Sequence, residues 1–136
     1  MDLAPRALIV SADRSKRDEI GERLEAAGYS VMECPGPLAP RFVCMGVRCE
    51  ACPLVDAVDV VVVDGWLASD EQRQGVPSWH LARLYWAAGL PVVFLVGPDG
   101  LQAGITNDRL IAVPRSSDPD TIAGRADALR RSTLAA

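Results

Sequence analysis

Residues 58–66 read Val-Asp-Val-Val-Val-Val-Asp-Gly-Trp, and this stretch decides the fold. Four consecutive valines between two carboxylates predict a strand that is covered on both faces, as strands are in the middle of a parallel sheet. Asp64 then falls at the carboxyl end of this strand and is followed by Gly65. Because ligands and chemistry collect at that edge of open α/β sheets, Asp64 is the first candidate functional residue.

The rest of the chain alternates between strand and helix patterns. Further apolar strands are predicted at residues 7–10, 29–33, 91–96 and 109–113. Helices are predicted after the first strand, at 79–88, and from Asp118 to a frayed end beginning at Ser132. Strands that alternate with helices predict a parallel sheet with right-handed crossovers, in a single domain that spans residues 1–136.

The first helix has a capping signal at its start and Gly28 as a stop signal at its end. Asp13 or Ser15 is expected to cap its start, and Ile20, Leu24 and Ala27 repeat at helical spacing. These three residues are therefore predicted to face the sheet, with charged residues on the other side of the helix.

Composition narrows the classes of function. The chain has 136 residues, about half of them apolar, and no apolar run that reaches the ~18 residues of a membrane span. Its net charge of −4 comes from interspersed acids and bases, which argues against a nucleic-acid-binding surface. Without a signal peptide pattern, a cytoplasmic, reducing location is expected. Motifs for nucleotide binding or hydrolase chemistry do not occur in the sequence, so no enzyme activity is predicted.

Several stretches match one known family in the same order along the chain: residues 7–13, 26–31, 58–64, 90–96 and 111–114. Together they resemble the receiver domain of two-component response regulators. The resemblance implies an α/β, flavodoxin-like fold with a five-stranded parallel sheet of order 2-1-3-4-5. It also implies that Asp64 is the position that accepts a phosphoryl group from a histidine kinase, with Mg²⁺ neutralising the charge that is transferred.

This chain departs from the receiver pattern around Asp64. Where the family has an acidic pair, the sequence has Ser11 and Ala12, with Asp13 nearby. The family's hydroxyl residue at the end of the fourth strand is Val96, and its lysine at the end of the fifth strand is Val113, before Pro114. We therefore expect a degenerate acidic pocket that keeps the acceptor position and lacks most of the groups that act on it.

These losses predict a pseudo-receiver. Removing one group aimed at developing charge typically costs ~10²–10³ in rate, so efficient phosphotransfer is not expected. Asp64 is then a strand-end carboxylate that is either retained by descent or hydrogen-bonded to loop amides. The alternative is a phosphoacceptor that uses Asp64 with Asp13 and a weakly held Mg²⁺. The predicted function is a phosphorylation-independent protein-interaction module in phosphorelay signalling, with signalling proteins such as a histidine kinase as partners and a homodimer as its assembly.

Residues 34–57 replace the second helix of the receiver pattern with a segment rich in cysteine and proline. Its spacing, C-x9-C-x4-C-x2-C, comes from Cys34, Cys44, Cys49 and Cys52. Four thiolates could ligate Zn²⁺ or an iron–sulfur cluster, which would make the domain a metal or redox sensor. Plain packing of the cysteines and a Cys49–Cys52 redox pair are the other interpretations.

Two further expectations concern the second half of the chain. The 17-residue step from Val96 to Val113 leaves room only for a short fourth helix or for none. Trp79 and Trp86 lie seven positions apart and share one side of the helix at 79–88. That side is either part of the core or an interaction surface for a partner protein.

Overall fold

The structure, a computed structural model, describes residues 4–11, 13–34, 53–65, 79–97 and 109–135. The strands in these ranges are β1 (Arg6–Val10), β2 (Ser30–Cys34), β3 (Val60–Asp64), β4 (Val92–Val96) and β5 (Leu110–Pro114). The helices are α1 (Arg14–Ala26), α2 (Trp79–Ala87) and α3 (Pro119–Ala135), with a 3-10 helix at Pro53–Ala57. The five strands form one parallel sheet in the order β2-β1-β3-β4-β5, which confirms the predicted topology.

The valine-rich strand lies at the centre of the sheet, and every residue of β3 is buried. Its side chains alternate between two apolar clusters, one on each face of the sheet. Val60 and Val62 belong to the cluster covered by α1 and α3, whereas Val61 and Val63 belong to the cluster beneath α2. A strand with both faces covered can be apolar throughout, which explains why the sequence shows no alternation here.

Helix α1 begins as predicted and buries a slightly different stripe. Asp13 is its N-cap, and the buried residues are Ile20, Gly21 and Leu24. The prediction that Ala27 faces the sheet is wrong: Ala27 is the C-cap and is exposed, because the chain turns away there through Gly28 with a φ of 97°. Gly21 takes the inner position instead and lies against the side chains of Ile9 and Val31.

The C-terminal third of the fold also differs in detail from the prediction. Pro114 is the last residue of β5 and does not end the strand before it, because an edge position needs no amide donor from proline. Helix α3 continues to Ala135 and does not fray from Ser132. Ile122, Ala126 and Leu129, which repeat at helical spacing along α3, are buried.

A polar cluster ties the turn after α1 to the last helix. The Tyr29 hydroxyl donates to Asp127 Oδ1 at 2.7 Å and accepts from Arg130 Nε at 2.7 Å. The Arg130 guanidinium also lies over the Tyr29 ring, 5.3 Å from its centroid. Burial, together with the neighbouring Asp127 carboxylate, raises the pKa of Tyr29 above its usual value. The cluster holds α1 and α3 side by side on one face of the sheet.

Two predicted features fall on parts of the chain outside the described residues. The cysteine- and proline-rich segment that is predicted to replace the second helix is described only at Cys34 and from Pro53 onward, where the chain forms the 3-10 helix. The predicted absence or shortness of a fourth helix concerns residues 98–108, which also lie outside them. None of the helices in the described ranges has the length and hydropathy that a membrane span requires.

Gly65 gives a prediction about stability. A Cβ atom at this position would lie 2.7 Å from the Leu95 carbonyl oxygen and 2.8 Å from Phe94 Cε1. The ends of β3 and β4 must then move apart at the edge of the sheet where the strands have their carboxyl ends. We therefore expect Gly65→Ala to lower the free energy of unfolding by about 1–3 kcal/mol, measured by urea denaturation.

Gly97 is the matched control, since a Cβ atom there meets nothing within 4 Å. We expect Gly97→Ala to change the free energy of unfolding by less than about 0.5 kcal/mol. Equal effects of the two substitutions would contradict the steric explanation.

Candidate functional site

Asp64 lies at the carboxyl end of the central strand with almost no exposure to solvent. Only 1% of its side chain is accessible. The backbone beside it is held to β4, because the Gly65 amide donates to the Leu95 carbonyl at 2.8 Å. On the other side, the Ser11 hydroxyl at the end of β1 donates to Asp64 Oδ2 at 2.8 Å. Asp64 is therefore a buried carboxylate that neighbouring strands surround.

Arg115 supplies the positive charge for this carboxylate. Its Nε donates to both carboxylate oxygens of Asp64, each at 3.0 Å. Its Nη2 donates to Asp13 Oδ2 at 3.0 Å. The planar guanidinium thus bridges two carboxylates, with its donors held in a fixed fork that the ammonium of lysine lacks. We call Ser11, Asp13, Asp64 and Arg115 the acidic pocket.

The backbone of Arg115 is anchored on both sides. Its amide donates to the Val96 carbonyl at 2.8 Å, which continues the pairing of β5 with β4 by one residue. Its carbonyl accepts a hydrogen bond from Lys16 Nζ on α1. The Ser117 amide donates to the Pro114 carbonyl at 3.0 Å, which closes the turn toward α3. These contacts direct the Arg115 side chain back over the end of the sheet.

Asp13 has two roles in the acidic pocket. Its Oδ1 accepts from the Lys16 amide at 3.2 Å, as an N-cap of α1 does, while Oδ2 accepts from Arg115. The Asp13 amide also donates to the Ser11 hydroxyl at 3.1 Å. The hydrogen bond from the Lys16 amide, with Arg115 assisting and burial opposing, lowers the pKa of Asp13 below its usual value. Asp13 therefore joins the first turn of α1 to the pocket.

Ser11 connects the pocket to the edge of the sheet. Its amide donates to the Cys34 carbonyl at 3.0 Å, and its carbonyl accepts from Arg17 Nη1 at 2.6 Å. Arg17 Nε lies 3.7 Å from Glu33 Oε1 on β2. Burial, together with nearby Asp18, raises the pKa of Glu33. The pocket is thus surrounded by a network that reaches from β2 to the start of α3.

The structure shows where the residues of the predicted acidic pocket lie. Val96 and Val113 are apolar and buried, with 6% and 5% of their surfaces accessible, so neither offers a hydroxyl or an amine. Ala12 lies outside the described residues. The inference that the pocket has lost its cation is wrong, because Arg115 provides one from the position after Pro114. Its only signal in the sequence was a basic residue directly beyond the Val113-Pro114 pair.

The residues present do not fit a bound Mg²⁺. This ion requires several hard oxygen ligands at close to octahedral geometry. In the acidic pocket, the Arg115 guanidinium already occupies both oxygens of Asp64 and one oxygen of Asp13. The position that would contribute a further carboxylate carries the Ser11 hydroxyl. Magnesium chemistry at this site would first require the guanidinium to leave.

The cysteine hypothesis falls mostly outside the described residues. Cys34 ends β2, where its side chain is half-buried against the apolar cluster beneath α2, whereas Cys44, Cys49 and Cys52 are not described. Within the described ranges, no three residues among His, Cys, Asp and Glu form a group that could hold a metal ion. Metal binding, redox pairing and packing of the cysteines all stay predictions.

Trp86 packs in part against the protein's own core. It is half-buried against the apolar cluster beneath α2. The Arg109 guanidinium lies over its ring, 5.3 Å from the centroid, and Arg109 Nη1 donates to the Trp86 carbonyl at 2.9 Å. Trp79 begins α2, but its side chain is outside the described set, so its proposed role in an interaction surface stays a prediction.

The lowered pKa of Asp13 gives a prediction about pH. A folded-state pKa below 3.8 means that ionised Asp13 stabilises the folded protein above that pH, and that this contribution is lost as the pH falls through the lowered pKa. Asp13→Asn keeps a good N-cap and removes the charge. We expect it to reduce the free energy of unfolding at neutral pH by about 0.5–1 kcal/mol, since Asp13 is partly exposed to solvent.

Urea denaturation of both proteins between pH 7 and pH 3 measures this contribution. The difference between them is expected to be constant above pH ~4 and to shrink below it. A difference that does not change with pH would mean that the charge of Asp13 has no part in stability.

Comparisons with known proteins point to one fold. No protein-family model matches the chain, and no curated protein does so either. Many solved structures do match over nearly the whole length. A response regulator receiver protein from Sinorhizobium medicae is 14% identical, with a TM-score of 0.67 and coverage of 96% of this chain and 97% of that one.

Two further structures illustrate the range of these matches. A CheY-like receiver domain from Methanospirillum hungatei is 15% identical, with a TM-score of 0.65 and coverage of 97% of this chain and 98% of its own. The receiver domain of the hybrid histidine kinase CckA is 20% identical, with a TM-score of 0.57 and coverage of 92% and 98%. The sheet order and these neighbours together show that the chain has the fold of a response regulator receiver domain.

Proposed function

We propose that this protein is a receiver-type signalling module that acts through contacts with other proteins and without phosphorylation of Asp64. The observation that carries the proposal is the bridge from Arg115 to Asp64 and Asp13. A phosphoacceptor needs a carboxylate oxygen that can reach the phosphorus of a donor. Here both oxygens of Asp64 accept hydrogen bonds, and the side chain is 1% accessible.

Two groups that would assist transfer are also missing from the described residues of the pocket. Transfer of a phosphoryl group depends on positioning and on stabilising charge at its equatorial oxygens. Buried Val96 has no hydroxyl to donate, and Val113 has no amine. Arg115 is a cation, but its guanidinium is directed at the acceptor carboxylate itself. Each missing donor typically costs ~10²–10³ in rate, which supports a module that does not depend on the reaction.

The partners that we propose are signalling proteins, including a histidine kinase. The support is the fold, which this chain shares with the receiver domain of the hybrid histidine kinase CckA. The net charge of −4 is a reason not to propose nucleic acid as a direct partner. We propose no enzyme activity, and a homodimer and a cytoplasmic location stay predictions from the sequence.

One observation favours a second candidate function, a phosphoacceptor. Asp64 keeps the acceptor position at the carboxyl end of β3, and Asp13 belongs to the same network. If Arg115 moved away, these two carboxylates would be the oxygen ligands for Mg²⁺. The experiment below separates this candidate from the first.

Incubation with an acyl phosphate donor and Mg²⁺ tests the proposed function. We expect intact-mass spectrometry to show no phosphoryl adduct on the wild-type protein, because Asp64 is buried and engaged with Arg115. An active receiver domain treated in parallel shows that the donor works. An adduct that forms on the wild type and is absent from Asp64→Asn would establish the phosphoacceptor function instead.

The cysteine segment requires a separate measurement. A metal or redox sensor built on Cys34, Cys44, Cys49 and Cys52 is a hypothesis from their spacing alone. Elemental analysis of protein purified without oxygen, together with a thiol count, decides it. About one zinc ion per chain or an iron–sulfur chromophore would support the sensor. No metal and a full complement of titratable thiols would leave the cysteines as packing residues.

A further inference from the structure

The balance of charge in the acidic pocket is unusual for a site that resembles a metal pocket. Among the described residues, the pocket contains the carboxylates of Asp13 and Asp64 and the guanidinium of Arg115. Two more cations lie beside it: Lys16 Nζ donates to the Arg115 carbonyl, and Arg17 Nη1 donates to the Ser11 carbonyl at 2.6 Å. Three cationic side chains thus surround two carboxylates, which disfavours a divalent cation.

We propose that Arg115 is a tethered cation that takes the place of a divalent ion between Asp13 and Asp64 and keeps such an ion out. The proposal rests on the proposed function, in which the pocket works without phosphorylation. It adds that Arg115 is the group that keeps a divalent ion out. Its basis is the lack of fit between these residues and Mg²⁺.

The guanidinium and a metal ion would compete for the same atoms. Arg115 Nε lies 3.0 Å from each oxygen of Asp64, and Arg115 Nη2 lies 3.0 Å from Asp13 Oδ2. A divalent ion bound by Asp64 would need an oxygen that Arg115 already contacts, and at Asp13 it would compete with Arg115 for Oδ2 or with the Lys16 amide for Oδ1. It would also lie within a few ångströms of the guanidinium, where like charges repel. The guanidinium and a divalent ion therefore compete for this site.

Arg115 also has a local advantage over an ion from solution. Its backbone is anchored to β4 by the Val96 carbonyl and to α1 by Lys16. Only 25% of its side chain is accessible, so the ordered guanidinium faces the pocket. A group attached to the chain needs no encounter from solution, so an ion can displace it only by binding tightly enough or at a high enough concentration.

Titration with Mn²⁺, followed by the electron paramagnetic resonance signal of the free ion, tests this role. We expect weak binding to the wild type and an affinity at least about tenfold higher for Arg115→Gln, which removes the charge and keeps a polar side chain. Arg115→Lys keeps a cation beside the carboxylates, so its gain should be smaller. The double variant Asp64→Asn/Arg115→Gln should return to the affinity of the wild type, which places the ion at Asp64.

Arg125→Ala is the matched control. Arg125 is exposed on α3, so this variant changes the net charge by the same amount away from the pocket. Its Mn²⁺ affinity should equal that of the wild type. The proposal is overturned if folded Arg115→Gln binds Mn²⁺ no more tightly than the wild type, or if Arg125→Ala gains as much.

A measurement on the wild type keeps the proposal testable if the Arg115 variants do not fold. The Arg115 Nε–H donates to Asp64, so its nuclear magnetic resonance signal should exchange with water slowly and stay in place when Mg²⁺ is added. Exchange as fast as that of an exposed arginine, or loss of the contact on addition of Mg²⁺, would overturn the proposal.

The two proposals fail in different readouts. A phosphoryl adduct on Asp64 of the wild type would overturn the proposed function, whatever the affinities for Mn²⁺. If the wild type and folded Arg115→Gln bind Mn²⁺ with equal affinity, the role of Arg115 is overturned. The proposed function would still stand, because it is tested by the absence of a phosphoryl adduct on Asp64.

Discussion

The ion pair between Asp64 and Arg115 is the interaction on which this end of the molecule depends. A carboxylate with 1% exposure loses nearly all its hydration, and an unpaired charge in such a place costs several kcal/mol. The chain compensates with the Ser11 hydroxyl and with a guanidinium that contacts both oxygens. The ends of three strands thus supply one polar contact: Ser11 follows β1, Asp64 ends β3 and Arg115 follows β5.

The sheet was predictable from the sequence because its signals are local. The four valines of β3, the turn at Gly28 and the apolar stripes of α1 and α3 each reflect the environment of a single element. The order of the strands depends on contacts between distant parts of the chain, so it was predicted from the resemblance to receiver domains and not from local signals. Ala27 shows where local reasoning fails, since its spacing suits the inner stripe but the helix ends one residue earlier.

The pocket was only half predictable, for a physical reason. Asp64, Ser11 and Asp13 follow strands whose ends meet at one edge, so their proximity follows from topology. Arg115 comes after a proline, and nothing in its sequence neighbours indicates that its side chain turns back over the sheet. The cause is its anchoring to Val96 and Lys16, two contacts distant in sequence that only the folded chain brings together. A residue-by-residue match with a family pattern examines only the family's own lysine position, here Val113. It therefore misses a cation that lies two residues later, at Arg115.

Asp13 has a consequence for how this site could take part in signalling. The same carboxylate begins α1 and contacts Arg115, whose backbone leads into α3. The start of α1 and the turn that leads into α3 therefore meet at a single side chain. Since the counter-ion of Asp64 is part of the polypeptide, the ion pair forms as the chain folds and needs no ion from solution. A protein that disturbed this contact would act first on the start of α1 and on the turn that leads into α3.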